Sequence, residues 1–187
     1  IDPGYARTGR LQPLADDQAV TQANGRAEGA RTLWRGQAQW HVEPGRDDWR
    51  GTSPTGLWAF DSLTARLHPR LAGQALAAAL RQTGGLIIEE DLPPGAAMPS
   101  EVPIPEGRQG KGTGAVIWAT GFAGLQALSA DLARPVGGGV KGQAALFACP
   151  AQGQPQLFVD GLHIVPHADG TVAVGSTSER VWTDPDT

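Results

Sequence analysis

His163 and His167 sit four residues apart in a run rich in β-branched side chains. Imidazoles are the groups that bind metals, trade protons or hydrogen-bond a substrate near neutral pH. Asp169-Gly170 lies between two such runs, and Asp-Gly is the pair that favours a two-residue hairpin turn. That turn sets His163 opposite Ser176, Val165 opposite Val174 and His167 opposite Val172, all on one side of a sheet. Four residues of strand span roughly 13 Å, too far for both rings to share one metal ion. His163 is therefore expected to face a pocket and His167 to lie at a solvated tip. The competing reading makes His163 an ordinary core histidine.

Two further segments could carry chemistry. Residues 115–118, Ala-Val-Ile-Trp, read as a strand buried on both faces that ends at Thr120 and Gly121, with a helix expected over residues 122–132. A strand end that meets a helix start is where open α/β sheets bind ligands, because backbone N–H groups converge there and Gly permits close approach. An ordinary strand-to-helix turn has the same pattern. Residues 135–143, PVGGGVKGQ, have the glycines and lysine of a phosphate loop, but Gly142 and Gln143 follow Lys141 where a triphosphate loop needs Ser or Thr. The better reading is a strand entry whose glycines make room for something bulky.

The elements that must position these residues are legible in part. Apolar side chains recur at spacings of three and four through residues 16–34, with Asp16 available as N-cap, and predict a helix weakened by Gly25 and Gly29. Pro69 occupies a first helical position, an apolar stripe follows through Leu80, and Gly84 provides the stop. Residues 37–42 alternate like a strand, while the rest of 36–60 reads as ordered loop. Residues 86–88, Leu-Ile-Ile, read as a second buried strand. Residues 91–114 are rich in Pro and Gly without periodicity, which points to a loop with partial disorder. Beyond Arg134, short strands at 144–147, 156–159, 162–167 and 171–176 suggest an antiparallel sheet.

Composition narrows the function classes. The 187 residues hold 15 basic and 19 acidic side chains, a formal charge of −4, the wrong sign for a surface built on nucleic-acid phosphates. Cys149 is the single cysteine, so no internal disulfide forms and no C-x-x-C pair offers a zinc or iron–sulfur site. No apolar run approaches the ~20 residues that span a bilayer, and the first residues carry no signal-peptide pattern, so a cytoplasmic location is expected. The chain opens on what reads as mid-domain sequence, which suggests an internal segment of a longer protein.

Three stretches together, in order, resemble the D-amino-acid oxidase and glycine oxidase family of FAD-dependent enzymes. GAVIWATG at 114–121 is similar to the strand-plus-ATG element of two-dinucleotide-fold flavoproteins. PVGGGVKGQAALF from Pro135 is similar to the passage from FAD domain to substrate domain, and LHIVPHADGTVAVGSTSE at 162–179 resembles the substrate-domain hairpin. Tyr5 with Thr8-Gly9-Arg10-Leu11 resembles the entry into the substrate domain, and Leu67-His68-Pro69 the element before the sheet strand. The family's opening strand, G-x-G-x-x-G and helix, and its C-terminal flavin-contacting segment and carboxylate-binding Arg, have no counterpart here. His163 stands where many members carry a substrate-facing Tyr, so recognition through a phenol does not carry over.

The resemblance implies an α+β fold, an antiparallel substrate-domain sheet with helices plus part of a Rossmann-type FAD layer. It implies substrate-domain residues over 1–60 and 135–187 and FAD-layer residues over 61–134. The implied parent oxidises a C–N bond of a small-molecule amine or amino acid by hydride transfer to FAD. Thr120 and Gly121 would line the FAD site and His163 the substrate site, with no residue required as catalytic base and no metal. The cofactor is expected in the intact parent and not on this segment alone. Two alternatives are a non-catalytic binding module of the same fold and an FAD-dependent subunit acting on RNA bases, the latter disfavoured by the acidic balance.

Overall fold

The computed structural model describes residues 1–89, 117 and 119–182. In chain order they form β1 (Arg10–Pro13), α1 (Asp17–Trp34), β2 (Trp40–Pro44), β3 (Leu57–Asp61), α2 (Pro69–Gln82), α3 (Gly121–Asp131), β4 (Ala144–Ala148), β5 (Gln156–Val159), β6 (Leu162–Pro166) and β7 (Thr171–Gly175). Two compact units result. One comprises Ile1–Ile87 with Gly142–Glu179, and the other the described part of Ile88–Lys141 with Arg180–Thr187.

The first unit is built on a seven-stranded sheet of order β2-β3-β1-β5-β6-β7-β4. Every neighbouring pair is antiparallel except β1 and β5, which run parallel with Arg10 beside Gln156 and Leu11 beside Leu157. The fold is thus mixed α and β, as expected. Alternation along the strands sends Leu11, Trp58 and Leu157 to one face, where Phe60, Val159, Ile164 and Trp49 pack round them. On the other face Ala59, Val42, Leu57 and Trp40 meet α1 through Ala19, Val20 and Ala23, with Leu14 between. α1 packs on β2, at the far end of the sheet from β6, β7 and β4.

Local chemistry explains the helices. The Asp16 carboxylate accepts from the N–H of Ala19 at 2.8 Å and caps α1, which ends where Arg35 and Gly36 take positive φ. Pro69 opens α2 and Gly84, at φ +81°, follows its end. No helix among the described residues is long and apolar enough to cross a membrane.

Several expectations need correction. Among the described residues the run at 86–88 pairs with no strand, and Leu86 and Ile88 are more than half exposed. Conversely Leu57–Asp61, expected as loop, is β3, a strand with neighbours on both sides. Its Leu-Trp-Ala-Phe core lacks the alternation that marks a half-exposed strand, because both of its faces are covered. Ala115, Val116, Trp118 and the loop at 91–114, apart from Ile117, lie outside the described residues.

Candidate functional site

The hairpin of β6 and β7 carries His163, but one residue out of the expected register. His163 pairs with Gly175, Ile164 with Val174, Val165 with Ala173 and Pro166 with Val172. The cause is the turn. The His167 N–H donates to the Thr171 carbonyl at 2.7 Å, enclosing Ala168, Asp169 and Gly170 in a three-residue loop in which Gly170 has φ +84° and Asp169 stays outside the positive-φ region. Asp169 supports the loop through its side chain, accepting from the Thr171 N–H at 3.1 Å and hydroxyl at 2.6 Å.

His163 is exposed, so it is not a core histidine. Its ring packs on Phe158 of the adjoining β5, centroids 4.6 Å apart. Beyond Phe158, on β1, the Arg10 guanidinium lies 5.9 Å from that ring's centre and 3.2 Å from Asp61. Three neighbouring strands thereby carry a cationic, an aromatic and an imidazole group on one face of the sheet. Arg10, Phe158 and Asp61 were not read as site residues from sequence. The parallel pairing of β1 with β5, made by residues distant in the chain, is what brings them to His163.

His167 is not a solvated tip. It is 5 % exposed, and its ring lies against His68, which stands at the start of α2, with centroids 4.8 Å apart. Among the described residues the buried Nδ1 atoms of both rings have no hydrogen-bond partner. Burial pushes the His167 imidazole below its usual range, and the nearby His68 and Arg66 add to the effect against the opposing Asp169 carboxylate. Asp169 is held below the usual carboxylate range, first by the hydrogen bond from the Thr171 hydroxyl.

The second unit contains Thr120 and Gly121. Gly121, at φ +61°, opens α3, and a Cβ placed there would meet open space. Thr120 turns its side chain into the gap above Gly124 and makes no cap bond, so among the described residues no side chain is recorded as accepting from the first N–H groups of α3. An exposed, uncapped helix start with open space at its glycine fits a polar cofactor edge laid against it. The glycine run is packed as expected. A Cβ at Gly139 would come within 2.9 Å of Phe122 and 3.0 Å of Trp182, and one at Gly137 within 3.1 Å of Leu125. Phe122 and Trp182 meet edge to face at 4.9 Å beside an open cleft of about 440 Å³ that Gln126 and Arg180 also line. Gly137, Gly139 and Gly142 have G-x-G-x-x-G spacing, but the chain runs on into β4, not a helix, so no helix N-terminus faces a pyrophosphate there.

Comparison with known proteins bears on both units. The family described as FAD dependent oxidoreductase matches residues 1–187. No curated protein matches. Among solved structures, glycine oxidase from Geobacillus kaustophilus is similar at TM-score 0.59 and 20% identity, over 98% of this chain and 51% of its own. Iminodiacetate oxidase from Chelativorans sp. BNC1 is similar at TM-score 0.55 and 22% identity, over 95% and 50%. L-Amino acid deaminase from Proteus myxofaciens, in complex with anthranilate, is similar at TM-score 0.56 and 18% identity, over 93% and 41%. The chain thus spans about half the length of the solved structures it matches, and at these identities the likeness shows a shared fold. With the family match running over its whole length, the chain belongs to the DAO family of FAD-dependent oxidoreductases.

Proposed function

We propose that this chain is the substrate-domain half, with part of the flavin-binding layer, of a cytoplasmic enzyme that oxidises a C–N bond of a small-molecule amine or amino acid. Bound FAD would supply the hydride acceptor for the carbon beside the nitrogen, the substrate losing a proton from nitrogen and leaving as an imine. The single observation that carries the reading is the sheet face of β5 and β6, where exposed His163 rests on Phe158. An aromatic floor excludes water from beneath a substrate, and the imidazole offers it a hydrogen bond. Thr120 and Gly121 would border the cofactor at the start of α3, which the Thr120 side chain leaves uncapped. On this reading residues 1–60 and 135–187 serve substrate binding and residues 61–134 serve the flavin layer. The solved relatives named for glycine, iminodiacetate and amino acids support this substrate class.

The test is His163→Phe in the FAD-loaded full-length enzyme. Phe keeps the ring on Phe158 and removes both nitrogens. One polar contact of this kind is worth roughly 1–3 kcal/mol, so kcat/KM should fall about 5- to 150-fold with fold and flavin content retained. An unchanged kcat/KM removes His163 from the site.

A further inference from the structure

Three arginines show two different uses. Arg50 is structural. Its side chain is 7 % exposed and closed between Glu43 at 2.6 Å and Asp48 at 2.9 Å. Arg66 is structural too, buried and donating to the carbonyls of Gly4 at 2.6 Å and Gln152 at 2.9 Å. Arg10 is held differently. Asp61, 4 % exposed, has one carboxylate oxygen saturated by the N–H and hydroxyl of Thr64, at 2.8 and 2.6 Å, and turns the other to Arg10 at 3.2 Å. That contact occupies one nitrogen of a guanidinium that carries five N–H donors. Among the described residues the Arg10 side chain makes no recorded hydrogen bond, and it is 31% exposed.

An ion pair with one open partner adds little to stability. A buried carboxylate that is itself immobilised does something else: it tethers the guanidinium at this place on the sheet and leaves its remaining donors open to a planar anion. The position of the group says which anion. β5 separates β1 from β6, and Arg10 pairs with Gln156 while His163 pairs with Phe158 two residues on, so the two backbones stand about 12 Å apart at ordinary strand geometry. A carboxylate next to the reacting amine cannot bridge that span, whereas one several bonds away can.

We propose that Arg10 is a specificity-determining residue that binds a distal carboxylate of the substrate, with Phe158 under the carbon chain between. The substrate class is then an amine or amino acid ending in a carboxylate remote from the oxidised C–N bond. This rests on the function proposed above.

The experiment compares wild type, Arg10→Gln and Arg10→Lys in the FAD-loaded full-length enzyme, with glutamate against glutamine as substrates and unreactive glutarate as a ligand measured by calorimetry. Arg10→Gln should raise KM for glutamate about 10- to 100-fold and weaken glutarate equally, with a far smaller change in kcat and in KM for glutamine. Arg10→Lys should recover part of the loss, since charge returns without the planar fork. Equal losses on glutamate and glutamine, or unchanged glutarate binding, overturn the assignment. If no amine or amino acid reduces the flavin, the proposed function falls. Glutarate binding then still decides Arg10, a loss in Arg10→Gln supporting it and unchanged binding overturning it.

Discussion

His68 and His167 lie ring against ring, centroids 4.8 Å apart and tilted by 44°, where the N-terminal segment, the start of α2 and the β6–β7 turn converge. Arg66 lies beside them, and Asp169 approaches His68 Nε2 at 3.6 Å. The backbone N–H of His68 also holds the Pro3 carbonyl at 2.9 Å, so the pair pins three parts of the unit together.

Acid should loosen this junction. The folded-state pKa of His167 lies below its unfolded value near 6.5, so below that pH the unfolded chain takes up the proton more readily. Stability is fully present above about 6.5 and falls as pH drops from there towards the folded pKa. Asp169 contributes in a separate window, its stabilisation being lost only as pH falls below the ordinary carboxylate range. Thermal melts of the chain between pH 7.5 and 5 should show a falling midpoint. His167→Phe should flatten that fall, and a slope unchanged by the substitution would place the acid sensitivity elsewhere.

The turn between β6 and β7 should depend on Gly170 more than on the charge of Asp169. An alanine at φ +84° costs about 1–2 kcal/mol, and its Cβ would also come within 3.1 Å of the Gln152 amide. Asp169→Asn keeps an oxygen to accept from Thr171 and should leave the urea midpoint almost where it was. The reverse ranking would mean that the loop closes in another way.

Gly25 and Gly29 lie inside α1, exposed, at negative φ, with open space where a Cβ would go. Alanine at either position should stabilise the chain by about 0.5–1 kcal/mol, by narrowing the unfolded ensemble and restoring helix propensity. Urea melts of the two variants check this, and a loss at either site would reveal a packing role for the bare backbone.

The purified 187-residue chain should be colourless. The start of α3 and an open cleft of about 440 Å³ present too little surface to offset the entropy of immobilising a dinucleotide. Flavin absorbance that survives gel filtration would contradict this.

What sequence revealed follows the range of the forces involved. Asp16 and Pro69 marked their helices because capping acts within one turn. The β6–β7 hairpin was legible as a hairpin, but Asp-Gly was read as a two-residue turn, and one further loop residue moved every cross-strand partner of His163. His167 followed the same error. It looked terminal along its strand, and only the return of α2 across the chain buries it beneath His68. The Arg10, Phe158 and His163 row was out of reach, because its middle link is a parallel pairing that no local pattern announces.

That pairing also orders events in time. Residues 10 and 156 are 146 positions apart, so β1 leaves the ribosome well before β5 exists. At ordinary synthesis rates the interval is on the order of ten seconds. Through it β1, β2 and β3 with α1 can pair among themselves but leave the β1 rim unpaired, and Leu11 and Trp58 lack the Leu157 that completes their cluster. The sheet is a high contact-order closure, slow to form and sticky while it waits. In the nascent chain the rim of β1 is therefore the place where a holding chaperone would have most to cover.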